Sequence, residues 1–432
     1  MSKEQTEEKI YLLCDCNNFF ASCEKIFRPD LKNRPVAVLS NNDGVVVSRS
    51  YETKKLGIAM GSPVFKIQNE INRYHIVTFS SNFNLYLDIS NRVMSTLETF
   101  CKDLEIYSVD EAFLTFENMT EGQVLNLAFK IKNTILSRIG ITIGIGIART
   151  KTLAKLANHY AKKNQDKTNG VFSVLSDHQR QKILLAFPIG EIWGIGRRLE
   201  ELLQNDGYIS SFDLSKADVA EIKKRYSIVV ARTVMELNNI DCIESVENGD
   251  SQNQIMWSRS FRDRLYEFDD VNQAISNFTA EVAKKLRSQN LFAKRITVFI
   301  RTSYFGNQLK YANDATLVLD YPCNDTRVLI EASRLLLQHI FAPGYAYSKA
   351  GVIVHDLVSE RCFQSDLFKE TPNQDELNKA DRLMQTMDSI NVNDKNNIRI
   401  GLQSKSDFKE NKDKLKLSPN YTCSWDDLPE VF

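Results

Sequence analysis

The chain has 432 residues, and its 55 basic and 55 acidic side chains cancel to a formal net charge of zero, with 43% hydrophobic residues. That length gives ample core for two to four domains, and the composition is that of a soluble globular protein. A uniformly basic nucleic-acid binder is excluded, though a locally basic groove is not; no apolar run is long enough to span a bilayer, and residues 1–9 lack the apolar stretch of a secretory signal.

The eight cysteines are scattered, and the one cluster, Cys14, Cys16 and Cys23, has no histidine near it in sequence. They read as small core residues in a reducing cytoplasm.

In chain order, the apolar run Ile10 to Cys14 ends on Asp15 and predicts a buried strand, followed by an aromatic-rich turn into a helix at Cys16 to Glu24. Pro35 to Ser40 predicts a strand, Asn41-Asn42-Asp43-Gly44 a turn, Val45 to Ser48 a return strand, and Tyr51 to Leu56 a short helix ended by Gly57. Leu85, Ile89, Val93, Met94 and Leu97 carry helical spacing. Asp110 and Glu111 then sit between two strand-like runs within Glu105 to Phe116. Val124 to Ile139 predicts an amphipathic helix, Ile141 to Ala148 a strand, and Thr150 the N-cap of a helix running to about Lys163.

Setting the 34–66 insertion aside, the order is β-α-β-β-α-β and then a helix, that of a ferredoxin-like split βαβ sheet. In such a sheet the end of the first strand lies beside the central hairpin, which would bring Asp15 to Asp110 and Glu111. Taken alone, Asp110–Glu111 is an acidic turn. Three carboxylates on one sheet edge suit a two-metal site better, because close anions repel unless a hard cation lies between them. The glycines around Gly144 and Gly146 are not a phosphate loop, since position 150 is threonine where a P-loop needs glycine, and they are expected to allow close helix–sheet packing.

Pro188 to Leu203 reads as helix, Gly-Ile-Gly hairpin and helix, resembling a helix–hairpin–helix module that offers backbone N–H groups to DNA phosphates; a plain glycine-capped turn is the alternative. Asn238 to Gln254 reads as a linker. Four strands and two helices follow, predicting a sheet with one free face on which Arg259, Arg295 and Arg301 would follow a DNA backbone, unless that face is merely solvated. Beyond His355 regular elements give out. Gln364-Ser365-Asp366-Leu367-Phe368 has the look of a peptide that docks in a partner's pocket, and Leu417 to Phe432, with Trp425, of a small ordered terminal piece.

Together these motifs resemble the Y-family of translesion DNA polymerases over nearly the whole chain. Asp15 with its aromatic turn and Ser108-Val109-Asp110-Glu111-Ala112-Phe113 carry the resemblance. Leu39-Ser40-Asn41-Asn42-Asp43-Gly44, Ser80-Ser81-Asn82-Phe83-Asn84-Leu85-Tyr86 and the extended tail point to the UmuC-like branch, the catalytic subunits of bacterial DNA polymerase V. The fold implied is α+β and multidomain. It has a ferredoxin-like palm (1–18 and 84–173), small α/β fingers (19–83), a helical thumb with a helix–hairpin–helix (174–240) and a linker (241–253). A four-stranded α/β little finger (254–356) and a tail with a clamp-binding peptide (357–432) complete it.

The resemblance also implies roles. Asp15, Asp110 and Glu111 would be catalytic and hold two Mg²⁺ ions, with the backbone carbonyl of Cys16 as a further ligand. Ser48, Tyr51, Lys54 and Lys162 would contact the triphosphate; the family often has arginine where Lys54 stands. Phe20, where many relatives carry tyrosine, would be the steric gate against ribonucleotides, with Phe19 beside it in the nucleotide pocket. Gly194, Gly196, Arg197, Arg259, Arg295 and Arg301 would meet primer–template DNA. Gln364, Leu367 and Phe368 would bind the sliding clamp (the beta subunit). A UmuD′-like dimer and a RecA filament are implied partners, with no membrane. The competing readings are a non-catalytic DNA-binding scaffold with a polymerase fold and a stand-alone polymerase IV-type enzyme.

Overall fold

The run Ile10 to Cys14 is buried on both faces and becomes the central strand of the first sheet in the computed structural model, which describes residues 9–244, 253–305, 307–359, 374–393, 398–400, 416–422 and 425–428. The chain divides into two compact units, 1–248 together with 413–432, and 249–412. In chain order the strands are β1 (Lys9–Cys16), β2 (Val36–Leu39), β3 (Val46–Arg49), β4 (Val77–Ser80), β5 (Asp103–Ile106), β6 (Glu111–Glu117), β7 (Ile143–Ala148), β8 (Val171–Ser173), β9 (Gln254–Leu265), β10 (Phe292–Thr302), β11 (Ala312–Cys323) and β12 (Tyr347–Val358).

The first unit is built on a five-stranded sheet ordered β5-β6-β1-β7-β8, in which β1 is antiparallel to both neighbours. Strand periodicity sends alternate residues of β1 to two cores. Leu12 and Cys14 pack with Leu85, Ile89, Ile131 and Ile135 from the helices Phe83–Glu98 and Glu121–Ile139. Tyr11 and Leu13 join Phe113, Leu153, Ala154 and Ala157, the last three on the helix Lys151–Lys163. The β-α-β-β-α-β order read from the sequence is present, and β8 extends it by one strand, parallel to β7. The glycines of β7 act as expected: a Cβ on Gly146 would lie 2.1 Å from the Ala154 carbonyl oxygen and 2.3 Å from Asn158 N.

The insertion is a smaller sheet ordered β3-β2-β4. The hairpin β2–β3 was legible from its turn. The third strand, β4, was not: it runs parallel to β2, so no local turn signal joins the pair, and the connection passes through the helices Tyr51–Lys55 and Gln68–Arg73.

The second unit is an antiparallel sheet ordered β11-β10-β12-β9, with the helices Phe268–Ser288 and Thr326–Ile340 covering one face over Ile296, Val298, Ile300, Val352 and Val354. The expectation of no regular structure past His355 is corrected by a helix, Gln374–Asn393. Its apolar face is thin, with Leu377 and Met384 buried, and Arg287 adds a two-pronged pair to Asp388 at 2.6 and 2.8 Å. In the terminal piece Tyr421 is the buried aromatic, while Trp425 is 89% exposed. No helix among the described residues is long and apolar enough to cross a membrane.

Candidate active site at the edge of the central sheet

Antiparallel register sets Asp15, near the end of β1, directly opposite Glu111, the first residue of β6. Both share strand parity with Leu13 and Phe113, so both face the helix Lys151–Lys163. Asp110 precedes Glu111 in a tight turn. Its carbonyl accepts from Cys16 N at 2.8 Å, and Glu111 O accepts from Tyr107 N and Ser108 N at 3.0 and 3.1 Å. Ser108 Oγ donates to Asp110 Oδ1 at 2.7 Å, which turns that carboxylate back onto its own loop. Asp15 and Glu111 are thus brought together, and Asp110 stands beside them with its side chain held by Ser108. No group of three His, Cys, Asp or Glu side chains is gathered for a metal among the described residues.

The helix supplies what faces these anions. Lys162 Nζ lies 2.5 Å from Asp15 Oδ1, Asn158 Nδ2 donates to Asp15 Oδ2 at 3.0 Å, and Lys155 Nζ lies 3.0 Å from Glu111 Oε2. Burial pushes the Asp15 carboxyl up, the Glu111 charge adds to this, and Lys162 opposes it. These residues, with Leu13, His159, Glu191 and Trp193, line an open cleft of about 260 Å³. Lys155 and Asn158 were missed by sequence reasoning. Their signal was the polar stripe 151, 155, 158, 162 at helical spacing after the Thr150 cap, a pattern hard to tell from a solvated face. The oxygen-only donors of Asp15 and Glu111, anions now balanced by two lysines, fit a hard divalent cation.

Among the expected nucleotide contacts, Phe19 belongs to the core at 3% exposure, so its ring does not line a pocket. Phe20 is half-buried, stacked on Tyr86 (4.4 Å between centroids, 14° between planes) and edge-on to Phe83. Ser48 is buried on β3, and its Oγ accepts from Ala21 N at 3.3 Å. Tyr51 is exposed at the start of its helix. The Lys54 ammonium is pushed down by partial burial and by the charges of Arg49 and Lys162, with Asp15 opposing, so it shares the electrostatic field of the cleft.

Of the expected DNA contacts, Gly194 adopts a left-handed φ of 87° and Gly196 caps the helix Arg197–Asn205; neither glycine has an atom within 4 Å of where a Cβ would stand. The element before them is a single 3₁₀ turn, Ile189–Glu191, not the expected helix. Arg197 pairs with Glu201 in the exposed first turn. On the second sheet Arg295 and Arg301 share the face free of helices, but Arg259 does not join them. Its register partner on β12 is Ala350, buried beneath the helices, so Arg259 has the opposite parity and stacks on Trp257 at 5.1 Å. Lys349, opposite Arg301 on β12, takes that place on the free face. Arg295 is paired with Asp356 at 2.7 Å. Gln364, Leu367 and Phe368 lie outside the described residues.

The impB/mucB/samB family matches residues 14–159, its C-terminal domain matches 252–367, and a domain of unknown function, DUF4113, matches 381–431. Protein UmuC of Salmonella typhimurium is 40% identical over 425 residues, 98% of this chain and 100% of that protein. Protein MucB of Escherichia coli is 39% identical over 424 residues, covering 97% and 99%. DNA polymerase IV 2 of Bacillus subtilis is 27% identical over 372 residues, covering 84% and 88%. Among solved structures, a Y-family DNA polymerase chimera built on Dbh has a TM-score of 0.67 at 21% identity, covering 81% of this chain and 100% of that one, a likeness of fold alone. With 40% identity to UmuC sustained over nearly its whole length, this chain belongs to the impB/mucB/samB family of UmuC-like proteins.

Proposed function

We propose that this protein is a template-directed, error-prone translesion DNA polymerase, adding deoxynucleotides to a primer 3′ end opposite damaged template in DNA repair and SOS mutagenesis. The observation that carries the reading is the register of Asp15 against Glu111, with Asp110 in the adjoining turn. The sheet around β1 would be the palm and the β3-β2-β4 insertion the fingers. The helices between β8 and residue 240 would be the thumb, and the second unit the little finger.

Asp15, Asp110 and Glu111, with the Cys16 carbonyl, would hold two Mg²⁺ ions; when bound, these lower the pKa of the primer hydroxyl and neutralise the leaving pyrophosphate. The chain's own groups do the rest. Ser108 holds the Asp110 carboxylate in the turn, and Lys162, Asn158 and Lys155 keep Asp15 and Glu111 oriented toward the cleft. Lys162, Lys54 and Tyr51 offer donors to triphosphate oxygens, and Ser48 keeps its hydroxyl proton to give, because its Oγ acts as acceptor toward Ala21. The Phe20 ring closes the space a ribose 2′-hydroxyl would need. Open backbone at Gly194 and Gly196 and the charges of Arg301 and Lys349 follow DNA phosphates. The peptide at 364–368 would tether the protein to the sliding clamp, and a UmuD′-like dimer and a RecA filament would be further partners.

Primer extension with Mg²⁺, before and after Asp110→Ala, tests the reading. Extension by the wild type that is abolished in the variant supports it; extension that survives the substitution refutes the catalytic assignment.

A further inference from the structure

Glu24 is a buried carboxylate that the reaction does not use. It lies on the helix Phe19–Ile26, one turn beyond Phe20, and is 0% exposed. Its Oε1 accepts from the Tyr86 hydroxyl at 2.6 Å and from Ser418 Oγ at 3.3 Å, while Oε2 has no hydrogen-bond partner among the described residues. Tyr86 is the residue whose ring stacks on Phe20. A chain of contacts therefore runs from Ser418, far along the sequence, through Glu24 and Tyr86 to the Phe20 ring.

Ser418 is held there by its neighbours. Asn82 Nδ2 donates to Ser418 Oγ at 3.0 Å and to Ser418 O at 3.2 Å, while Asn82 Oδ1 accepts from Leu85 N and caps the helix that carries Tyr86. Ser80 N at the end of β4 donates to Lys416 O at 3.0 Å, and Lys416 Nζ donates to Thr78 Oγ1 at 2.7 Å. Tyr421 stacks on Phe27 (4.6 Å, 13°), just past the helix that carries Phe20. Residues 416–422 thus clasp the N-terminus of one helix and the C-terminal end of the other. These are the two helices whose separation fixes the Phe20–Tyr86 stack. Burial pushes the Glu24 carboxyl up to about 7, with Tyr86 and Ser418 opposing, so the two hydroxyls are what favour its anionic form.

We propose that residues 416–422, within the stretch matched by the domain of unknown function, are a positioning element of the nucleotide pocket: Ser418 and Tyr421 hold Glu24 and Tyr86 so that Phe20 presents its ring to the incoming sugar. The inference rests on the reading of Phe20 as the sugar-facing residue. A piece of chain some four hundred residues from the palm's first strand would then set sugar selection without touching substrate.

The test uses the full-length chain in primer extension with each deoxynucleotide and its ribonucleotide, comparing kcat/KM for the two. Ser418→Ala is expected to raise the ribonucleotide-to-deoxynucleotide ratio about threefold, the effect of one modest hydrogen bond, and Ser418→Thr, which keeps the hydroxyl, to restore it. Tyr421→Leu is expected to act in the same direction. A general loss of folding would lower both substrates together and leave the ratio unchanged, so an unchanged ratio in Ser418→Ala and Tyr421→Leu, with Phe20→Ala shifting it, overturns the positioning role alone. Failure of Phe20→Ala itself to shift the ratio removes the sugar-facing reading and the positioning role with it.

Discussion

Lys162 holds one oxygen of Asp15 at 2.5 Å while Asn158 holds the other at 3.0 Å, so the carboxylate at the end of β1 is fully partnered by a single helix. If Lys162 turns to the triphosphate in the loaded site, its contribution belongs to nucleotide binding. Lys162→Ala should then raise the KM for deoxynucleotide roughly ten- to a hundredfold, the range for a hydrogen bond to a charged group, with a smaller loss in kcat. Steady-state extension kinetics decide this; a fall in kcat at constant KM would assign Lys162 to Asp15 instead.

The free face of the second sheet predicts a charge effect that does not depend on sequence. Lys349→Ala should weaken DNA binding evenly across templates and lower the slope of log K against log salt by about 1. Arg259→Ala, on the helix-covered face, should leave that slope unchanged. Fluorescence anisotropy over a salt series reads both, and equal slopes for the wild type and Lys349→Ala would remove this face from the DNA path.

Gly146 has no room for a methyl group. A Cβ there would sit at 2.1 and 2.3 Å from backbone atoms of the helix Lys151–Lys163, which cannot swing aside as a side-chain tip would. Gly146→Ala should therefore cost about 3 kcal/mol, at the upper end for overpacking, and lower the midpoint of thermal unfolding. A variant that melts with the wild type would show that the helix can shift outward.

Glu24 predicts a pH dependence of stability. Its folded-state value of about 7 lies above its ordinary 4.5, so the folded chain holds the proton more tightly than the unfolded chain does. The contribution is therefore fully favourable below the unfolded value and is lost as pH rises through the folded one, by about 3 kcal/mol in all. Glu24→Gln, which keeps an acceptor for the Tyr86 and Ser418 hydroxyls but cannot ionise, should gain on the wild type between pH 5 and pH 8. Denaturant midpoints at the two pH values check it, and a constant difference would assign the proton elsewhere.

Much of this site was legible in the sequence because its signals are local or periodic. The apolar run ending on Asp15 and the hairpin carrying Asp110 and Glu111 each declare themselves, and the β-α-β-β-α-β order alone brings them side by side. Tertiary register was not legible. Arg259, Arg295 and Arg301 look alike along the chain, yet one residue of parity on β9 sends Arg259 to the other face. Phe19 and Phe20 are neighbours in one aromatic turn, and only packing separates the core ring of Phe19 from the half-buried ring of Phe20. Lys155 and Asn158 hid in a stripe that any solvated helix could show. Ser418 lies in the terminal piece that reads as ordered, but nothing local points to its partners Glu24 and Asn82, which lie 394 and 336 residues away.

That last separation bears on how the protein is made. The helix bearing Phe20 leaves the ribosome early, and its partner Ser418 emerges 394 residues after Glu24, roughly 20–80 s later at ordinary elongation rates. For most of that interval, once Glu111 has emerged, the nascent chain carries Asp15, Asp110 and Glu111 but lacks the piece proposed to seat the Phe20 ring. A product cut short by stalled translation or by proteolysis ahead of Ser418 would keep Asp15, Asp110 and Glu111 but lack the proposed positioning element, and is expected to lose sugar selectivity before it loses extension.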